Sequence, residues 1–212
     1  MLTDAPPRNA SRAGYLESER IRTLDLPQNG SLLTITNSIE SAMQAGKTTD
    51  VRRACAEFLA ETSKFYQTPS CGIRVLAARP LRAREHWVME LFGDYHPETM
   101  LIRLWMRTAV RKEVTSFGTF LNTLCHEFCH HLDYHRFGFS DSWHTRGFFE
   151  RTAALYHHAR GTPPQAIALG SSAGWTLANR LASDESGSVN SSVPTSRADC
   201  APEIRRRPDS VV

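Results

Sequence analysis

Three observations predict an α+β fold with a single ordered domain. Apolar residues recur at helical spacing early in the chain, three short runs rich in β-branched and aromatic residues occupy its middle, and two further helical patterns follow. With 212 residues, 41% of them hydrophobic, the chain is long enough for one domain with extensions and apolar enough to bury a core.

Residues 1–34 read as a flexible leader, because Pro6-Pro7, Pro27 and Asn29-Gly30 interrupt evenly mixed charges with no sustained period. The ordered domain is expected over 35–165. From about Ser38, Ile39, Met43, Val51, Cys55, Phe58, Leu59 and Thr62 follow three- and four-residue steps, broken near Gly46 and ended by Pro69 and Gly72. Strands are expected over 73–77, 86–92 and 99–106. A turn from Gly93-Asp94 to Pro97-Glu98 would pair the second and third as a hairpin in a short, mostly antiparallel sheet. Ser116 is a candidate N-cap for a long helix carrying Phe117, Phe120, Leu121, Leu124, Phe128 and Leu132, which Gly138 breaks. A further helix is expected over 145–160, stopped by Gly161 and Pro163-Pro164. Residues 166–212 turn to Ser, Ala, Gly, Asn and Pro with little large apolar content beyond Trp175 and Leu177, and read as a low-complexity, disordered tail.

Charge and cysteine usage narrow the function classes. A net charge of +3 excludes a uniformly basic nucleic-acid coat. Residues 74–112 carry eight basic against four acidic side chains, and Arg205 to Arg207 add three more, so nucleic acid is a weakly supported partner. No run approaches the roughly 18 apolar residues of a membrane helix, and the N-terminus has no apolar signal core. Five cysteines without Cys-x-x-Cys spacing argue against a disulfide framework. The expectation is a cytoplasmic monomer without membrane association.

Histidine carries the chemistry: seven of the nine fall between His126 and His158. His126-Glu127-Phe128-Cys129-His130 places two imidazoles four residues apart on one helix face, where both can reach one metal ion. Glu127, one residue on, is close enough to take a proton from a water at that ion. Two neutral imidazoles with a third N or O donor suit tetrahedral Zn2+ with an open position. A third ligand must come from downstream. His131 and His135 point to other faces of the helix. His144, beyond the break at Gly138, and Glu150, inside the next helix, both remain candidates.

His126-Glu127-Phe128-Cys129-His130, followed by Trp143-His144-Thr145-Arg146-Gly147-Phe148, resembles the SprT-like zinc metallopeptidases. There the His-Glu-x-x-His helix precedes a third histidine, with a phenylalanine a few residues later packing the next helix. The strand pair before the helix is similar to that family's small zincin-like core. The resemblance spans about residues 38–160 and implies zinc ligands His126, His130 and His144, with Glu127 as catalytic base acting on a protein or peptide substrate. The family's cysteine-rich zinc ribbon and strongly basic nucleic-acid module have no counterpart here. Two alternatives stand beside this expectation: a gluzincin-type peptidase with Glu150 as third ligand, and a catalytically inactive zincin-like binding or regulatory module.

Other residues have simpler readings. Cys125 and Cys129 read as small buried hydrophobes. Asp133, three after His130, either accepts a ligand's ring N–H or caps the helix end. Tyr134 and Tyr156 are candidate oxyanion donors or core residues. Arg103 and Arg107 read as a solvated strand face or a bias toward acidic substrates.

Overall fold

The computed structural model describes residues 3–8, 11–28, 30–84 and 87–165, with the backbone alone over 81–84 and 87–90. The expected tail over 166–212 lies outside the described residues, and with it Trp175, Leu177 and Arg205 to Arg207. The described residues run α1 (Arg12–Arg20), α2 (Ser31–Gln44), α3 (Thr48–Tyr66), β1 (Gly72–Ala78), β2 (Leu81–Arg84), β3 (Trp87–Glu90), β4 (Gly93–His96), β5 (Leu101–Arg107), α4 (Phe117–His135) and α5 (Arg146–Arg160), with a 3-10 turn at Pro97–Thr99. The fold class is α+β.

Helix boundaries follow the capping chemistry. Gly46, at φ 66°, separates α2 from α3. The Ser116 side chain accepts from the Thr119 backbone N–H to start α4, and Thr145 does the same for Phe148 at the start of α5. Val51, Cys55, Phe58 and Leu59 of α3 join Phe120, Leu124 and Phe128 of α4 and Leu155 of α5 in one core. α4 packs between α5 and the sheet.

The sheet departs from the expected hairpin. β5 is the central strand, with β1 parallel on one side and β4 antiparallel on the other, so the sheet is mixed. Residues 87–90 pair back on β2 instead. The cause is local. The 3-10 turn with Met100 at φ 48° reverses the chain over only four residues, which makes 93–96 the strand that returns along β5. Ile102, Leu104 and Met106 are fully buried, as a central strand between helices and neighbours requires.

The leader also departs from expectation. Residues 12–20 form α1, which packs on α5, and α2 begins at Ser31, earlier than the expected domain boundary. α1 buries only Tyr15 and Ser18, too few for a legible apolar stripe, and is held by hydrogen bonds. The Arg151 guanidinium donates to the carbonyls of Ser18 and Ile21, and Ser18 Oγ lies 3.0 Å from Thr145 Oγ1. Among the described residues, no helix is long and apolar enough to cross a membrane. Cys55, Cys71, Cys125 and Cys129 are free thiols, and all but Cys71 are buried.

Gly147 is where α5 meets α1. A Cβ there would collide with the Ser18 carbonyl oxygen and stand 2.7 Å from that of Ile21. In an unobstructed helix Gly→Ala stabilises by about 1 kcal/mol. Gly147→Ala is therefore expected to release α1, read as faster amide exchange over 12–20 with α4 and α5 still protected. A rise in stability with unchanged exchange would refute the close approach.

Candidate metal centre

His126 and His130 stand one turn apart on α4, their ring centroids 4.8 Å apart. The helix ends beyond His135, and Gly138, at φ 69°, lets the chain turn back, with Phe139 N–H donating to the Asp133 carbonyl. The returning loop delivers His144 over α4. His126 Nε2 lies 3.1 Å from His144 Nε2 and 3.2 Å from His130 Nε2. The three ligand atoms all fall within 4.8 Å of one another, close enough to bind a metal ion. Phe148, fully buried, presses its ring against His126 and His130 at centroid distances of 4.9 and 4.6 Å and forms the floor of the site.

The opposite ring nitrogens bear on the tautomers of His130 and His144. Asp133 is fully buried, and its Oδ1 accepts from Arg151 Nη2 at 2.8 Å. Its Oδ2 accepts from Ser142 Oγ at 2.7 Å. With its proton committed to Asp133, Ser142 Oγ accepts from His130 Nδ1 at 2.7 Å. That assignment puts the His130 proton on Nδ1 and leaves the Nε2 lone pair facing the other histidines. His144 Nδ1 faces Asp4 Oδ2 at 3.4 Å, which favours the same tautomer.

Electrostatics keep the cluster neutral. Burial, reinforced by His144, pushes His126 down to about 3. Burial and the neighbouring histidines drive His130 well below the ordinary range. Burial lowers His144 too, against the pull of Asp4. Neutral imidazoles are the form that ligates metal. Glu127 is buried between α4 and β4, and burial followed by the charge of Asp94 raises its carboxyl to about 8. Only glycine fits opposite it: a Cβ on Gly93 would stand 3.1 Å from Glu127 Cγ and 2.6 Å from Thr123 Cγ2. A cleft of about 330 Å³ opens onto the histidines, lined by Gly93, Asp94 and Tyr95 of β4 and by Glu127, Tyr134 and Ser142.

The other sequence-predicted residues fall elsewhere. Glu150, the rival third ligand, lies outside the cluster: its carboxylate accepts from Arg146 Nε at 2.7 Å and lies 3.9 Å from Arg22 Nε. His131 is buried away from the site, its Nε2 donating to the Pro69 carbonyl and its Nδ1 accepting from Tyr95. His135 Nε2 meets the same Tyr95 hydroxyl at 3.1 Å. Tyr134 lines the cleft, whereas the Tyr156 hydroxyl accepts from Arg160 on α5. Arg103 forms a bidentate pair with Asp94, and Arg79 is buried over the Phe92 ring with its guanidinium on Thr115, so two of the basic residues in 74–112 are engaged internally. Burial pushes the Cys129 thiol up to about 12 and Cys125 well above the ordinary thiol range. Sequence reasoning missed Asp4, Ser142 and Arg151. Only the polar loop around Ser142 carried any signal of a role.

Comparison with protein-family models, with curated proteins and with solved structures finds no match for the chain.

The Asp133–Arg151 pair is nearly free of solvent contact, so removing one member strands the other. Arg151→Met is expected to cost about 3–5 kcal/mol in urea unfolding. A loss below about 1 kcal/mol, the range of an exposed pair, would refute a fully desolvated ion pair.

Proposed function

We propose that the protein is a zinc-dependent metallopeptidase of the SprT-like type, with His126, His130 and His144 as metal ligands and Glu127 as the base. The observation that carries this reading is the convergence of three neutral Nε2 atoms beside a buried glutamate and an open cleft. Ligands about 2.0–2.1 Å from a tetrahedral zinc sit roughly 3.3 Å from one another. The Nε2 separations of 3.1 and 3.2 Å are close to that value. Three imidazoles with the fourth direction open are also the donor set of a catalytic site, whereas structural zinc sites close all four positions. When bound, the ion supplies Lewis acidity that polarises a carbonyl and makes water acidic near neutral pH.

The chain's own residues do the rest. Burial raises the Glu127 carboxyl to about 8, and a cation at the centre would favour its ionised form. Once ionised, it takes a proton from the attacking water and returns it to the leaving amine nitrogen as the peptide bond breaks. Ser142 and Asp4 hold the Nδ1 sides of His130 and His144 and keep their Nε2 lone pairs on the centre. Phe148 excludes water from beneath. Among the described residues β4 pairs only to β5 within its sheet; it borders the cleft, and its other edge is suited to an extended peptide substrate.

Metal content and cleavage of a mixed peptide library, measured on wild type, His144→Ala and Glu127→Gln, test this reading. Near-stoichiometric zinc in wild type, lost in His144→Ala, is expected. Glu127→Gln should keep the metal while cleavage falls at least about 100-fold, the low end of general acid–base contributions. No zinc in reconstituted wild type would overturn the metal reading. Undiminished cleavage by Glu127→Gln would overturn the mechanism.

A further inference from the structure

The loop that carries His144 is held along its length by the N-terminal residues. Ser11 Oγ donates to Asp141 Oδ2 at 2.6 Å, and the Tyr15 ring meets Trp143 edge-on at 6.3 Å. Ser18 Oγ lies 3.0 Å from Thr145 Oγ1, and Arg146 N–H donates to Glu19 Oε2 at 2.8 Å. Asp4 reaches His144 itself. Its backbone N–H donates to the His144 carbonyl at 3.1 Å, and its Oδ2 accepts the His144 backbone N–H at 2.8 Å. The same Oδ2 stands 3.4 Å from His144 Nδ1, and the buried Tyr15 hydroxyl anchors the Asp4 carbonyl at 2.9 Å.

We infer that Asp4 is a positioning residue of the metal centre, and that residues 4–8 and 11–19 form a clasp whose docking brings the third histidine into place. The inference rests on His144 being a ligand. A histidine on α4 has its backbone fixed by the helix, but His144 sits in a loop between Gly138 and the Thr145 cap, where side-chain direction must be imposed from outside. Asp4 imposes it twice, through the backbone N–H and through the ring. A carboxylate on the far ring nitrogen also makes the ligating nitrogen a better donor, and removing such a partner typically costs 10–100-fold in metal affinity. Coupling is reciprocal: if the docked clasp favours metal, bound metal favours the docked clasp by the same factor.

The test is the zinc affinity of the full chain, measured by chelator competition at constant pH for wild type, Asp4→Ala, Asp4→Asn and Gly147→Ala. Thermal unfolding of each metal-free protein and the visible spectrum of each Co2+ form are recorded alongside. Asp4→Asn keeps an acceptor for the His144 backbone N–H but removes the negative charge, which separates ring electrostatics from docking. Expected are losses of about 10–100-fold for Asp4→Ala and a smaller loss for Asp4→Asn. Their metal-free melting temperatures should match wild type, and their Co2+ spectra should be altered. Gly147→Ala, which displaces α1 without touching Asp4, is expected to weaken zinc as well. Zinc should in turn slow amide exchange over residues 4–8 and 11–19 more in wild type than in the variants. Wild-type affinity in both Asp4 variants would overturn the inference and leave the peptidase reading standing. A wild type that binds no zinc would overturn both.

Discussion

The Asp133–Arg151 ion pair is the constraint on which the rest of the site depends. Two charges taken almost completely out of water are tolerated only when nearly all of their hydrogen-bonding capacity is used. Here Asp133 divides its oxygens between Arg151 and Ser142, and Arg151 spends its Nη1 and Nη2 donors on Ser18, Ile21 and Asp133, leaving only Nε buried without a partner. One pair thereby ties together α4, the loop after it, α5 and α1. The same requirement fixes the Ser142 proton on Asp133 and, through it, the tautomer of His130. A structural necessity, satisfying a buried carboxylate, has a chemical consequence one residue away.

Much of the site was legible in the sequence because helix geometry alone dictates it. Residues four apart share a face whatever surrounds them, so His126 and His130 meet by spacing, and Gly138 announces where the chain must turn back. The choice between His144 and Glu150 was not legible, since both lie at a plausible distance along the chain. Packing decided the placement. Phe148 occupies the α5 face turned toward the histidines, and Glu150, two residues and about 200° further round, faces Arg146 and Arg22 instead.

What escaped the sequence shares a physical character. α1 is secured by backbone carbonyls on an arginine 130 or more residues away, and hydrogen bonds of that kind leave no hydrophobic period to read. Asp4 lies 140 residues from His144, beyond the reach of any local rule. The mixed sheet was missed because a 3-10 turn with a left-handed Met100, a conformation methionine rarely adopts, shortened the expected reversal and shifted the pairing to 93–96.

Three imidazole lone pairs directed at one point repel one another, and partial burial strengthens that repulsion. Within the cluster, His126 Nε2 stands at hydrogen-bond distance from both neighbours, 3.1 Å from His144 Nε2 and 3.2 Å from His130 Nε2. The rings are also held from outside: by the aromatic floor of Phe148, the Ser142–Asp133 relay behind His130 and the Asp4 carboxylate behind His144. Each holds a ring by its outer edge or face and leaves the inner nitrogen unencumbered. A cation bound at the centre would turn repulsion among lone pairs into attraction, and rings already held in place would spend less of the binding free energy on reorganisation. The arrangement of the three histidines is therefore a property of the surrounding fold, set by Phe148, Ser142, Asp133 and Asp4 rather than by the cluster alone.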